Sequence, residues 1–213
     1  MPYLGETPAV GSRSKLNATT TVGTAAEEDT LIKFDGNAQD FHIGLDDSAD
    51  DLLIGKGAAL GTTTSMAFDE DGIVSMPLQP FAHTHLDGNQ TIADATSTKM
   101  LFALEISDIN GDFGSNKFTC PVDGIYFIKA QVSAIVADQK QVQNMINING
   151  SEHSRSAQMA SGTSRLYGQV MGIVELDASD YIEVNSSQNS GGSLAMTGGA
   201  SPSYTHFMVA KIA

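Results

Sequence analysis

The stretch from Lys117 to Val132, KFTCPVDGIYFIKAQV, constrains the fold of this chain more than any other. Pro121 and Gly124 bracket a tight turn, because proline presets φ and glycine tolerates backbone conformations that other residues avoid. Past the turn, Ile125, Phe127 and Lys129 fall on one side of a strand, and Tyr126, Ile128 and Ala130 on the other. Both faces are mostly apolar, which predicts a strand covered on both sides, as in the inner layer of a sandwich. Composition points the same way. Charged residues make up 17% of the 213 positions while Gly, Ser, Thr, Asn and Ala abound, a mixture that reads as all-β and loop-rich. The 41% hydrophobic content is enough for a sandwich core, although no tryptophan is present to fill it.

A formal charge of −14 argues against phosphate-backbone or anionic-membrane partners, since both need clustered Lys and Arg. Arg155 and Arg165 are too sparse to make a basic groove, so neither nucleic acid nor membrane insertion is expected. The single cysteine excludes an internal disulfide, and its place in the apolar strand entry reads Cys120 as a packed core thiol. The N-terminus has no apolar h-region and no stretch approaches 18 apolar residues, so neither a signal peptide nor a membrane span is expected. A chain of this kind is made in a cytoplasm.

Four segments follow from the text of the sequence. Residues 1–25 scatter Tyr3, Leu4, Val10 and Leu16 too irregularly for a helix or a lone strand. Such a segment stays a tail or orders only against a partner. Residues 26–80 break into short alternating pieces, TLIKFDG, DFHIGLDD, DLLIGKG, SMAFDEDG and IVSMP, each ending in turn formers. Ile32, Ile43, Ile54 and Phe68 recur at eleven to fourteen residues, a loose repeat. No piece has enough apolar surface for its own two-layer core, so three copies wrapped round one axis as a β-shaft or prism are predicted. Residues 81–97, following two prolines, read as a linker, and 98–213 as an antiparallel β-sandwich head. Within the head, Asn149-Gly150 favours a type I′ turn, LYGQVMGIVEL and DYIEVNS are strands, and the apolar C-terminal YTHFMVAKI should be buried centrally.

Two resemblances attach to these residues. FTCPVDGIYF at Phe118 to Phe127 resembles the signature strand of the complement–tumour necrosis factor jelly-roll superfamily, whose globular heads assemble as trimers. LDASDYIEV resembles that family's L-x-x-G-D-x-V hairpin with Ser179 where glycine is usual, and Tyr204 to Ile212 resembles its closing strand with Ala210 in the place of glycine. MPYLGETPA resembles the opening of tailed-bacteriophage fibre and tail proteins, and GNAQDFHIGLDD, DLLIGKG and FDEDG resemble phrases in the shafts of marine phage fibres. The second resemblance implies that Tyr3, Leu4, Val10 and Leu16 belong to a virion anchor.

Metal sites are weighed at two places. Asp46, Asp47, Asp50 and Asp51 supply hard oxygens for a divalent ion but match no EF-hand spacing, so a solvated acidic turn is the plainer reading. His83 and His85 lie two apart, hence on one side of an extended chain. On a trimer axis three such pairs would present six imidazoles, enough to enclose a transition-metal ion, and some phage fibres resemble this H-x-H pattern around an axial iron. Polar linker histidines are the alternative, and no other cofactor is expected.

GxSxG, HExxH, P-loop and CxxC patterns are absent, and carboxylate pairs mean little on so acidic a chain, so no enzyme is expected. The leading expectation is a structural virion protein of a tailed phage, made in the host cytoplasm. It would be a homotrimeric fibre or spike whose N-terminus meets a tail adaptor or the major capsid protein, and whose head binds a host-surface glycan or protein. Polar loops carry the candidate contacts: Asp112 and Asn116, then His153, Arg155 and Arg165, then Gln188 and Asn189. A capsid decoration trimer and a secreted complement-type binding module are the alternatives.

Overall fold

The computed structural model describes residues 21–213, and among these every regular element is a β-strand. The chain divides into two compact units, Met1–Pro77 and Leu78–Ala213. The anchor residues Tyr3, Leu4, Val10 and Leu16 lie outside the described residues.

The first unit is a five-stranded antiparallel meander: β1 (Thr30–Phe34), β2 (Phe41–Asp46), β3 (Asp51–Lys56), β4 (Thr64–Phe68) and β5 (Val74–Ser75). Three members of its loose repeat form a cross-strand row, because Ile32 pairs with Ile43 and Ile43 with Ile54; opposite Ile54 stands Met66, while the fourth member, Phe68, pairs with Leu52. A second row runs through Leu45, Leu52 and Phe68, and Phe34 faces Phe41. Strand alternation puts all of these side chains on one face. The other face is built of smaller residues. A Cβ on Gly44 would meet Leu60, and one on Gly55 would meet His42, so both glycines let these covering groups lie close to the sheet. Among the described residues of this unit, only Leu53 and Ala67 are buried apolar residues. The larger face stays open, with Ile32 49% exposed, Phe34 58% and Ile54 37%. Asp46 and Asp51 pair at the β2–β3 turn, and Asp46 Oδ1 is taken up by the Ser48 backbone and hydroxyl, as a solvated turn requires.

The second unit is a two-sheet sandwich. In one sheet, β12 (Gly124–Val136) runs antiparallel to β15 (Ser164–Leu176) along all of its thirteen residues. The other edge of β12 is shared by β18 (His206–Lys211) and β17 (Leu194–Met196). β7 (Gln90–Ile92) extends from β17, and β6 (Phe81–Leu86) then β9 (Phe102–Asp108) extend from β18. The facing sheet orders β10 (Phe113–Gly114), β11 (Lys117–Thr119), β16 (Tyr181–Gln188), β13 (Gln141–Ile148) and β14 (Ser151–Met159), with β8 (Thr98–Lys99) against β16. Tyr126, Ile128, Ala130, Val132, Ala134 and Val136 point from β12 into one hydrophobic core, where they meet Phe118, Val142, Ile146, Ile182 and Val184 of the other sheet. Cys120 is buried in the same core, and burial pushes its thiol up to about 12. All-β, antiparallel and closed into a jelly roll, the head has the predicted class, and its C-terminal strand lies centrally between β12 and β6.

Two expectations need correction. Residues 81–97 are not a linker: β6 and β7 are strands of the sandwich, and Ala82, Thr84 and Leu86 are buried. Pro80 stops the ladder only on its own N-terminal side, since a proline at the start of a strand has no N–H to place. Nor is β12 covered on both sides. Its second face is open at Ile125 and Ile135, and Gln131 and Ser133 are buried between them. The stretch from Lys99 to Ile106 is divided between the sheets. Lys99 pairs with Asn185 in one sheet and Phe102 with Leu86 in the other, and buried Met100 sits at the corner between them.

Candidate functional site

Three of the predicted contact residues, Arg155, Gln188 and Asn189, are brought together around one depression of about 360 Å³ on the outer face of β13 and β16. Alternation explains the arrangement. Val142, Asn144 and Ile146 turn inward from β13, so Gln141, Gln143 and Met145 turn outward beside Ser187 of β16. Met145 lies between Arg155 and Asn185 as their cross-strand partner and is only 2% exposed, yet it belongs to no part of the sandwich core. It forms an apolar floor.

The rim is held by hydrogen bonds from loops far apart in sequence. Ala95 N donates to Gln188 O at 2.8 Å, Gly191 N to Asp94 Oδ1 at 2.8 Å, and Gln141 N to Asn189 Oδ1 at 2.8 Å. Arg155 Nε donates to Glu152 Oε1 at 2.9 Å and Nη1 to Gln143 Oε1 at 2.9 Å, while Nη2 donates to Glu152 Oε2. This guanidinium holds the exposed Glu152 carboxyl below its ordinary value. Asn185 Oδ1, beside Met145, is buried without a partner among the described residues.

The remaining candidates lie elsewhere. Asn116 and Ser115 both take positive φ (57° and 53°) in the β10–β11 turn, so Asn116 is there for backbone reasons. Asp112 packs at the same hairpin, and burial raises its carboxyl with help from Asp108. His153 is exposed on β14. Arg165 is on the opposite sheet, stacked 4.8 Å from the Tyr204 ring and donating to Thr197 Oγ1 at 2.7 Å. Sequence reasoning missed Gln143, Met145 and Ser187, although the alternation in QVQNM carried the signal for the first two.

His83 and His85 share the outer face of β6, as their spacing predicted, and His206 joins them from β18. His85 and His206 are cross-strand partners, and the His83 and His206 rings meet edge to face with centroids 5.7 Å apart. Burial lowers the pKa of both His83 and His206, and Lys129 and His85 lower them further. His83 Nε2 and His85 Nδ1 are buried without partners among the described residues. Among the described residues of one chain, no three His, Cys, Asp or Glu groups are arranged to hold a metal ion. The fit of an axial ion therefore depends on ligands from more than one chain.

No family model matches the sequence, and no curated protein matches it. Solved structures do resemble it. Eiger TNF from S. frugiperda aligns at 11% identity and a TM-score of 0.50, over 63% of this chain and 93% of that one. The globular domain of zebrafish complement 1qA aligns at 17% identity and a TM-score of 0.46, over 63% and 98%. Murine APRIL aligns at 15% identity and a TM-score of 0.48, over 63% and 99%. The likeness to the first defines the class of the head: an all-β jelly roll of the tumour necrosis factor type. At such identities it speaks for the fold alone.

Proposed function

We propose that this protein is a structural component of a tailed-phage virion: a short homotrimeric fibre or spike. Residues 1–25 anchor it to the particle, the five-stranded unit contributes to a shared β-shaft, and the jelly-roll head faces outward to bind the host surface. The reading assigns the chain no catalytic step. The observation that carries it is the open apolar face of the first unit, where Ile32, Ile43, Ile54 and Met66 form one row across four strands. A face of that kind is stable in water only when something covers it, and three copies turned toward one axis cover one another. The head offers a second apolar strip at Ile125, Phe127, Met171 and Ile173, in keeping with the trimeric heads of the family its signature strand resembles. The phage assignment rests on the likeness of MPYLGETPA and of the shaft phrases to fibre proteins.

Deleting residues 1–25 and measuring incorporation into particles tests the anchor, which predicts loss of incorporation from an otherwise folded trimer. Undiminished incorporation contradicts it. Adsorption of the trimer to host cells separates an outward-facing head from a capsid decoration protein, which would bind particles and leave cells untouched.

A further inference from the structure

We propose that the depression over Met145 is a binding site for a neutral saccharide unit. This rests on the reading of the head as an outward-facing binding module and names the ligand class that such a module takes. A sugar ring presents hydroxyls that donate and accept, together with an apolar C–H face, so its site needs short polar groups around an apolar floor. Exposed Ala95 on the rim and Met145, nearly sealed beneath it, supply the apolar part of the lining. The polar groups are left free by specific bonds. The Gln143 Oε1 accepts from Arg155, which leaves its amide N–H₂ to donate. Asn189 Oδ1 accepts from the Gln141 backbone, which leaves its own N–H₂. Ser187 brings a hydroxyl between them.

Charge decides the class of sugar. Among the described residues no Asp or Glu lines the depression, and the one cation lining it, Arg155, has Nε, Nη1 and Nη2 engaged by Glu152 and Gln143. A guanidinium already met by a carboxylate has little left for a second anion, so a hexose or N-acetylhexosamine fits better than a sialic acid or a sulfated sugar. The loop-to-loop bonds hold the rim in place before ligand arrives, which reduces the ordering cost of binding. One such site binds at roughly millimolar strength, and three on a trimer raise this by avidity.

The test applies the full-length protein to an immobilised glycan array holding neutral, sialylated and sulfated glycans. Binding confined to neutral glycans is expected. Ser187→Tyr, which fills the depression from a half-exposed strand position, should reduce that signal at least tenfold, with circular dichroism confirming the fold. Glu152→Gln should release Arg155 and bring sialylated glycans into the bound set. No binding to neutral glycans, or neutral binding unchanged by Ser187→Tyr, overturns the proposal. Adsorption to host cells is read in parallel. Cell binding that survives Ser187→Tyr while array binding also survives places attachment elsewhere on the head and sinks this site alone. Array binding lost in the variant, with wild-type protein that never adsorbs to cells, keeps the site and removes the attachment role.

Discussion

Ile43 lies directly opposite Ile54 across the β2–β3 pair, and both side chains belong to the larger-residue face of the first unit, where Ile43 is half-buried and Ile54 37% exposed. Leu53, one position before Ile54, is buried on the other side. The sheet therefore buries Leu53, Ala67 and His42 on one side and leaves a row of large apolar residues open on the other.

Replacing Ile54 with Asp places a carboxylate in the middle of this face. In a lone chain Ile54 is more than a third exposed beside Ile43 and Met66, so the change keeps the carboxylate in reach of water and costs little. In the shared core of a trimer it strands a charge, at a cost of several kcal/mol. Light scattering at micromolar concentration should show Ile54→Asp dissociated or aggregated where the parent chain is a single assembly.

Two isoleucines of the head separate packing within a chain from packing between chains. Ile128 is fully buried in the sandwich, so Ile128→Ala should lower unfolding stability by about 2–5 kcal/mol at any protein concentration. Ile173 is 65% exposed in one chain, and a surface truncation there should change the stability of a lone chain by less than about 0.5 kcal/mol. If Ile173 belongs to a subunit interface, Ile173→Ala makes the unfolding midpoint more dependent on protein concentration. Denaturant titrations at two concentrations distinguish these outcomes.

Ser179 holds a φ of 78° in the turn before β16, a conformation that costs a side chain about 1–2 kcal/mol. Its backbone N–H bonds to Cys120 O at 2.8 Å, and a glycine keeps that bond. Ser179→Gly should therefore raise stability by roughly 0.5–1 kcal/mol, once the greater freedom of glycine in the unfolded chain is set against the relief. Chemical denaturation measures the gain, and a loss of stability would show that the serine is not strained.

Acid should weaken the head through its histidines. Burial holds His83 and His206 below the ordinary 6.5, with Lys129 and His85 adding to the effect. The unfolded chain then binds protons that the folded chain resists, so this contribution is full above about pH 6.5 and is lost as the pH falls below it. Thermal midpoints between pH 8 and 5 should drop with acidity, and His83→Gln should flatten that slope. A midpoint that is level or rising on acidification contradicts the assignment.

Much of the head was legible because its signals are local. The Pro121–Gly124 turn, the apolar run of β12 and the Asn149-Gly150 turn, with φ of 51° and 78°, each depend on a few adjacent residues. Phe81–Leu86 was not legible as a strand, because FAHTHL has small and polar residues where a strand signal needs apolar alternation. It is buried by its neighbours β18 and β9, which come from distant parts of the sequence. The depression was half legible for the same reason. Arg155, Gln188 and Asn189 stood out as polar loop residues, but Met145 reads as core until it is seen to turn to the outer face of β13, between Arg155 of β14 and Asn185 of β16.

The most direct test is sedimentation equilibrium of the intact chain at micromolar concentration. The open faces around Ile43 and Ile173 predict a single species with the mass of three chains. A stable, well-folded monomer would mean that those faces need no partner, and the shared-core account would fall with it.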